Sequence, residues 1–565
     1  MDPVSGAQVQ DRESPPVMAD GLTREVEIQR ATAGRWLLLL AGIVLVCIII
    51  ARDIHTGEFD YNVDEAQHAV TGLFVADALH DLPIRHPEQY AYHYYAQYPA
   101  VAILHWPPLF YLFEGISFML LGPTVVSARL TVIFFAVVLF YQWFLLVEEL
   151  QDSYTAAVCA VVLGLLPTML VFEKTIMLEI PSLALGVGAV RHWIRYLQEG
   201  RRSSLFAFGF WLVAALLCKQ TSVYLLIFCF LTVLVTKRWD RIWRRDMFWV
   251  AGLVTLLAGP FLVLMLFLQG NAVANDLSSH RMIGIERVTY YARSLPATFS
   301  PVLLALAVLG LLLARKWNTR GQATLMICWI VAGYLTFSFF GQRESRFAIY
   351  WFPPLVYFAV GLLTEFFRKP KLRWAMRGVA ALLVAIVAIP AWSQQRPYIS
   401  GYQDVASRLV NQYHAGIVLF DGRVPGNFVF YMRALDPNRH FVVLRKSLYA
   451  DDIRPGQNSE ELLHNREQLA DIFRRDGIRF VVVAANAPLR FEVQRILREQ
   501  LQSDQFQLLG RFPISSNEPS WKGESLLLYE NKQWTPPADK LLRIRMLTLP
   551  YDIVVPVDDF DLGKH

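Results

Sequence analysis

Charged side chains are scarce in this sequence. Asp, Glu, Lys and Arg make up 18% of the 565 residues and hydrophobic residues 55%, with a mean hydropathy of +0.34. An average soluble domain carries roughly 25% charge and about 45–50% apolar residues, so an ordinary soluble enzyme, a disordered chain and a fibrous one are all excluded. Cysteine is scarcer still. Cys47, Cys159, Cys218, Cys229 and Cys328 all lie inside apolar runs, which leaves neither a disulfide framework nor a Cys-based metal site. There is no Gly-rich phosphate loop, no internal repeat and no low-complexity segment. The net charge of +5 is small for the length. Its positive clusters fall between apolar runs, so they read as membrane topology and not as a nucleic-acid surface.

What is abundant is apolar sequence between residues 36 and 392. Residues 1–35 are polar, mixed in charge and too long for a cleaved signal peptide. They read as a cytoplasmic tail before a first membrane helix at Trp36–Ala51. Further apolar runs lie near 107–121, 125–147, 155–172, 176–197, 204–218, 221–236, 247–268, 296–314, 322–340, 348–367 and 375–392. Each approaches the length that crosses ~30 Å of hydrocarbon at 1.5 Å per residue. Positive clusters at Arg201-Arg202, Lys237-Arg238 with Arg241 and Arg244-Arg245, Arg315-Lys316 with Arg320, and Arg368-Lys369 with Lys371 and Arg373 follow every second run. Positive loops stay cytoplasmic. Loop 52–106 and everything after 393 are therefore expected on the external face. Twelve segments conflict with termini on opposite sides, which need an odd number, so either 107–121 is re-entrant or a span is missing.

The fold expected is a polytopic α-helical membrane protein of about 11–13 transmembrane helices, followed over 393–565 by a soluble α/β domain. In that domain Gly416–Asp421, Phe441–Leu444, Arg479–Ala484 and Ser525–Tyr529 read as strands, and Glu460–Asp476 and Arg490–Gln502 as helices.

Loop 52–106 concentrates the chemistry-bearing residues. It holds Asp64-Glu65, a pair able to supply a general base where a low local dielectric raises a carboxyl pKa. Six of the twelve histidines lie there, His55, His68, His80, His86, His93 and His105, with no zinc-motif spacing. Tyr90, Tyr92, Tyr94, Tyr95 and Tyr98 follow, then His105-Trp106-Pro107-Pro108-Leu109-Phe110-Tyr111. Such aromatics serve as an interfacial belt or as faces on which a sugar ring stacks. Arg129 in Ser127-Ala128-Arg129-Leu130 reads as a structural group holding the loop. Lys219, at the junction of two apolar runs, is costly to bury and reads as paired or functional.

The order of these motifs resembles the polytopic glycosyltransferases of the GT-C fold, in the branch of protein O-mannosyltransferases and aminoarabinose transferases. The resemblance covers about residues 36–392. It rests on Asp64-Glu65 in the first external loop, Pro107-Pro108-Leu109-Phe110-Tyr111, Ser127-Ala128-Arg129-Leu130, Phe172–Pro181 with Glu179, Cys218-Lys219-Gln220-Thr221, and Gln342–Pro354 with Arg343 and Arg346. Two positions depart from the pattern. Trp106 stands where the aminoarabinose branch has Lys, and Glu179 precedes Ile180-Pro181 where Asp-Pro is usual.

The resemblance implies transfer of a sugar from a polyprenyl-phosphate donor to a lipid, glycan or protein acceptor on the periplasmic face of a bacterial inner membrane. It implies a direct, inverting displacement, with Asp64 as base and Glu65 orienting or binding acceptor. Arg343, Arg346, Lys219 and Lys174 are expected at the donor phosphate. Tyr92, Tyr94, Tyr95, Trp106, Tyr111 and Glu179 are expected at sugar or acceptor. No cofactor is predicted, and whether a divalent cation assists is left open by the sequence. A transporter or flippase of lipid-linked sugars is the alternative, although matched broken helices in two halves are not evident; a receptor or assembly scaffold is a third class.

Overall fold

The computed structural model describes residues 17–560 apart from 104, 280–284, 318–320, 341–342, 367–372, 446, 451–459 and 546–551, together with 562. Part of the expected tail (1–16), Arg320, Gln342, Arg368, Lys369 and Lys371 lie outside the described residues.

The apolar runs fold as helices, as their length and composition require. In chain order these are α1 (Val17–Ala51), α2 (Val63–Asp81), α3 (Pro87–Gln97), α4 (Leu109–Leu121), α5 (Val125–Leu150), α6 (Ser153–Gly164), α7 (Pro167–Lys174), α8 (Glu179–Glu199), α9 (Arg202–Cys218), α10 (Tyr224–Thr236), α11 (Trp239–Ile242), α12 (Arg245–Ser279), α13 (Ile285–Phe299), α14 (Pro301–Leu312), α15 (Ala314–Trp317), α16 (Gln322–Phe339), α17 (Phe352–Phe366) and α18 (Arg373–Ser393). Among the described residues five segments are long and apolar enough to cross a bilayer: Ala33–Ala51, Val125–Leu150, Arg245–Phe267, Gln322–Phe339 and Ser345–Phe366. Two further helix pairs are apolar enough together but sharply bent, α6 with α7 by 69° and α13 with α14 by 119°. Phe210, Leu256, Phe267 and Leu312 point outward, exposed, as side chains facing lipid do. The protein is a multi-pass membrane protein. α1 begins well before Trp36, so part of the expected tail is helix.

Loop 52–106 holds two helices, α2 and α3, and the run at 107–121 packs as a short helix on one side of the bundle. Arg129, in the second turn of α5, donates to the carbonyls of Ile54 (2.6 Å), Thr56 (3.2 Å) and Glu58 (2.6 Å), just beyond the end of α1. The start of α5 therefore shares a face with the end of α1. α4 reaches that point through a tight turn at Gly122 (φ +86°), whose carbonyl accepts from Ser127 Oγ (2.7 Å). Along its length α4 lies against α2, where Gly115 and Gly72 give close approach, and Phe118 meets Phe430 of the C-terminal domain at 6.1 Å.

The C-terminal domain adds the helices α19 (Tyr402–Tyr413), α20 (Pro425–Leu435), α21 (Arg466–Arg475) and α22 (Glu492–Gln500). Its strands are β1 (Ile399–Ser400), β2 (Gly416–Asp421), β3 (Phe441–Leu444), β4 (Tyr449–Ala450), β5 (Glu460–Glu461), β6 (Ile478–Ala484), β7 (Phe506–Pro513), β8 (Ser515–Ser516), β9 (Ser525–Asn531), β10 (Leu541–Arg545) and β11 (Asp552–Pro556). The main sheet has the order β3-β2-β6-β9-β7, with β3, β2 and β6 parallel and β9 and β7 antiparallel. β2 is buried along its whole length, as a central parallel strand must be. All four expected strands and both helices are present, the first helix shortened to α21 because Glu460–Glu461 pairs with Tyr449–Ala450.

This domain is strapped to loop 52–106. Phe59 and Ile399 form an antiparallel bridge, with Ile399 N–H donating to Phe59 O at 2.7 Å. The Glu58 carboxylate accepts from the N–H groups of Gly401 (2.9 Å), Tyr402 (3.1 Å) and Gln403 (3.0 Å) at the start of α19, where unpaired amides and the helix dipole attract an anion.

Candidate active site

Asp64 and Glu65 open α2, capped by Asn62, whose side chain accepts from Asp64 N–H at 3.2 Å. Acidic residues favour that first turn. Adjacent helical residues point about 100° apart, and the two carboxylates diverge. Glu65 is buried and accepts from the backbone of Ile176 (2.8 Å) and of Asp60. It ties the loop to the segment after α7 and is committed to backbone, not to a second carboxylate. Asp64 stays a quarter exposed and meets Arg346 at 3.1 Å.

Arg346 stands in a 3-10 turn at Ser345–Trp351 that leads into α17. It also reaches Glu344 (2.7 Å) and Glu179 (3.5 Å). Glu179, at the start of α8 and fully buried, takes Lys219 Nζ at 2.6 Å. Lys219 follows directly after α9 with an extended backbone. Four elements far apart in sequence thus build one line of charge: Lys219, Glu179, Arg346, Asp64. Phe347 lies under both cations, 5.7 Å from Lys219 and 5.5 Å from Arg346. A charge buried this deeply requires a partner, and each cation has one.

His68 stands one turn after Asp64. Its Nδ1 lies 2.6 Å from the Tyr111 hydroxyl, and its ring lies 4.3 Å from that of Trp106. Burial pushes its imidazole down to about 3, against the pull of Asp64 and Glu179, so at neutral pH it is an uncharged hydrogen-bonding group. Trp106, Tyr111 and His68 form an aromatic wall beside the charged line. Tyr350 adds a hydroxyl 2.7 Å from Ser182 and 3.4 Å from Thr221.

Of the predicted site residues, the structure brings together Asp64, Glu179, Lys219, Arg346, Trp106 and Tyr111. Others lie elsewhere. Lys174 is buried against Asp53 (3.2 Å) and the Gln394 carbonyl (2.8 Å), joining the ends of α1, α7 and α18. Tyr94 donates to Asp77 at 2.7 Å, in the seam with the C-terminal domain, and Tyr95 is buried beside Arg445. Tyr92 is half-buried on the same helix, α3. Arg343 is half-buried, with its charge beside Tyr291 of α13. Sequence reasoning missed Glu344, inside a motif read for its arginines, and the role of His68. The i, i+4 spacing of Asp64 and His68 marks that role once 63–81 is taken as helix. Among the described residues no three His, Cys, Asp or Glu side chains converge as a metal site.

Residues 105–264 match the family model described as dolichyl-phosphate-mannose-protein mannosyltransferase. No curated protein matches the chain by sequence. Among solved structures the chain is similar to ArnT from Cupriavidus metallidurans bound to undecaprenyl phosphate, with a TM-score of 0.58, 12% identity, 90% of this chain covered and 100% of that one. The apo state of the same protein gives a TM-score of 0.57 at the same identity and coverage. The resemblance drawn from the motifs therefore stands, and the fold is that of the GT-C membrane glycosyltransferases.

Proposed function

We propose that this protein is a membrane glycosyltransferase that moves a sugar from a polyprenyl-phosphate donor to an acceptor at the external, periplasmic face. The observation that carries the reading is the line Lys219–Glu179–Arg346–Asp64. It sets a carboxylate with access to solvent against two cations at the rim of a helical bundle.

In the proposed reaction Asp64 takes the proton of the acceptor hydroxyl. The oxygen attacks the anomeric carbon as the bond from that carbon to the phosphate oxygen breaks. Polyprenyl phosphate leaves with the bonding pair, and the configuration inverts. Arg346 and Lys219 meet the charge that grows on the phosphate, Arg346 with the bidentate geometry that suits phosphate oxygens. Arg346 is held by Asp64, Glu344 and Glu179. A phosphate that draws Arg346 toward itself frees Asp64 to accept a proton, so the base becomes available when the donor is seated. Trp106 and Tyr111 offer faces for the sugar, and His68 fixes them through its bond to Tyr111.

Two further features support a lipid-linked donor. ArnT has been crystallised with undecaprenyl phosphate. An apolar groove of about 450 Å3 runs along the elbow of α13 and α14, lined by Pro296, Pro301, Leu304, Val308 and Leu312, and is suited to an isoprenoid tail. α13 also carries Tyr291, whose ring lies 5.1 Å from Trp351, at the end of the turn that holds Arg346.

The test is transfer by membranes containing the protein, offered labelled polyprenyl-phosphate sugars, with products separated into lipid, protein and glycan fractions. Label leaving the donor for one fraction is expected. Donor that crosses sealed vesicles chemically unchanged, with no transfer, would contradict the reading and indicate a flippase.

A further inference from the structure

The edge of Arg346 best shaped to hold an oxyanion is occupied by Glu344. Arg346 Nε lies 2.7 Å from one Glu344 oxygen and Nη2 lies 3.1 Å from the other. A guanidinium offers the same two-point pairing to phosphate oxygens. Of the remaining contacts, Nη1 meets Asp64 at 3.1 Å, and Glu179 lies 3.5 Å from Nε.

The charges around Arg346 leave little room for another anion. Lys219 and Arg346 face Glu179, Asp64 and Glu344, two cations against three carboxylates. Arg343, beside Tyr291, brings the sum only to zero. A phosphodiester adds one more negative charge, and like charges held close together repel strongly away from bulk water. One carboxylate therefore has to give way when such an anion is seated.

The three carboxylates differ in freedom. Glu179 is fully buried and holds Lys219 at 2.6 Å. Asp64 stands in the first turn of α2, where Asn62 caps the helix. Glu344 has the most exposed side chain, 37% against 25% for Asp64 and 0% for Glu179. Its backbone is extended, and its carbonyl accepts from Phe347 N–H at 3.1 Å, opening the 3-10 turn. The Glu344 backbone thus holds the turn, while its side chain is free to rotate into solvent without unwinding it.

We infer that Glu344 is a positioning residue that stands on Arg346 in the place of the donor phosphate, and that the phosphate binds by displacing it. This role rests on the transferase reading, since it presupposes a donor phosphate. Glu344 acts through Arg346. It keeps the guanidinium oriented between Asp64 and Glu179, and its departure exchanges one oxyanion for another, so the net charge of the site does not change as donor is seated. Its return to Arg346 after transfer competes with polyprenyl phosphate and assists release of that product.

The test measures equilibrium binding of radiolabelled undecaprenyl phosphate to the full chain in detergent, with undecaprenol as the uncharged control. Wild type is compared with Glu344→Gln, which keeps the shape and removes the charge, and with Glu344→Asp, which keeps the charge. Glu344→Gln is expected to bind the phosphate about threefold or more tightly than wild type, and Glu344→Asp to stay within about twofold of wild type. Undecaprenol should bind all three alike. In transfer assays Glu344→Gln should lower donor KM without raising kcat, because product leaves more slowly. A merely structural role would instead weaken phosphate binding in both variants. The inference is overturned if Glu344→Gln binds the phosphate no more tightly than wild type, or gains as much for undecaprenol; the transferase reading then still stands. If no form of the protein prefers undecaprenyl phosphate to undecaprenol, the donor-phosphate reading falls and this role falls with it.

Discussion

At the residue scale the decisive feature is that every buried charge in the candidate active site has a partner whose loss would strand it. Glu179 is fully buried between Lys219 and Arg346. Removing one member of a buried pair costs about 3–5 kcal/mol, whereas replacing both with apolar groups is often neutral. Lys219→Met alone is thus expected to lower thermal stability sharply, and Lys219→Met with Glu179→Leu to recover much of it while leaving transfer lost. A thermal-unfolding double-mutant cycle beside activity measurements checks this; equal destabilisation by single and double variants would refute it. Arg343 and Arg346 could not be told apart in the sequence. The structure joins Arg346 to three carboxylates and sets Arg343 beside Tyr291. Lys174 shows the same limit: a buried lysine is legible as paired, but its partner, Asp53 in the turn after α1, is a matter of three-dimensional packing.

At the scale of elements, α4 and the strap at Glu58 carry most of what the sequence hid. The apolar run at 107–121 reads as a short span by composition, and only Arg129's bonds to residues 54–58 and the contact with α20 reveal that it stays on one face. The membrane helices themselves were legible because long apolar runs have no other stable fold in lipid. Strand β7 was not, because its outward residues are exposed and its pattern is broken by Gly510. α2 and α4 touch through Gly72, where an added Cβ would lie 2.3 Å from Glu114 Oε2. Gly72→Ala is therefore expected to destabilise by about 1–3 kcal/mol, while Gly252→Ala, where a Cβ meets nothing within 4 Å, should be neutral or better; melting temperatures of the two variants separate these outcomes. The strap predicts a pH dependence. Burial raises Glu58 from 4.5 to about 7 against three backbone N–H bonds. Folded protein therefore binds more protons than unfolded between about pH 4.5 and 7, and stability falls as pH rises through that window. Glu58→Gln should flatten this slope in melting curves taken across the window; an unchanged slope would exclude Glu58 as its source.

At the scale of the whole molecule, the C-terminal domain is built into loop 52–106 and not appended to it. Besides the strap, Arg433 of α20 holds Asp77 at the end of α2 with two charge-assisted bonds of 2.5 and 2.7 Å. Arg433→Ala is expected to raise hydrogen exchange along α2 and α3 and to lower transfer, while the distant helices α9 and α10 keep their protection; uniform exchange across the molecule would argue against a local clamp. The α/β character of this domain was legible in its alternating runs, but its contact with loop 52–106 was not, since residues more than 300 apart in sequence make it. The account as a whole turns on Asp64 as the base. Wild type and Asp64→Asn, at equal protein level in membranes, should be compared for sugar transfer from the labelled polyprenyl-phosphate donor that wild type accepts. The account predicts a loss of about 10²–10⁴-fold with folding unchanged, and transfer by Asp64→Asn at the wild-type rate would contradict it.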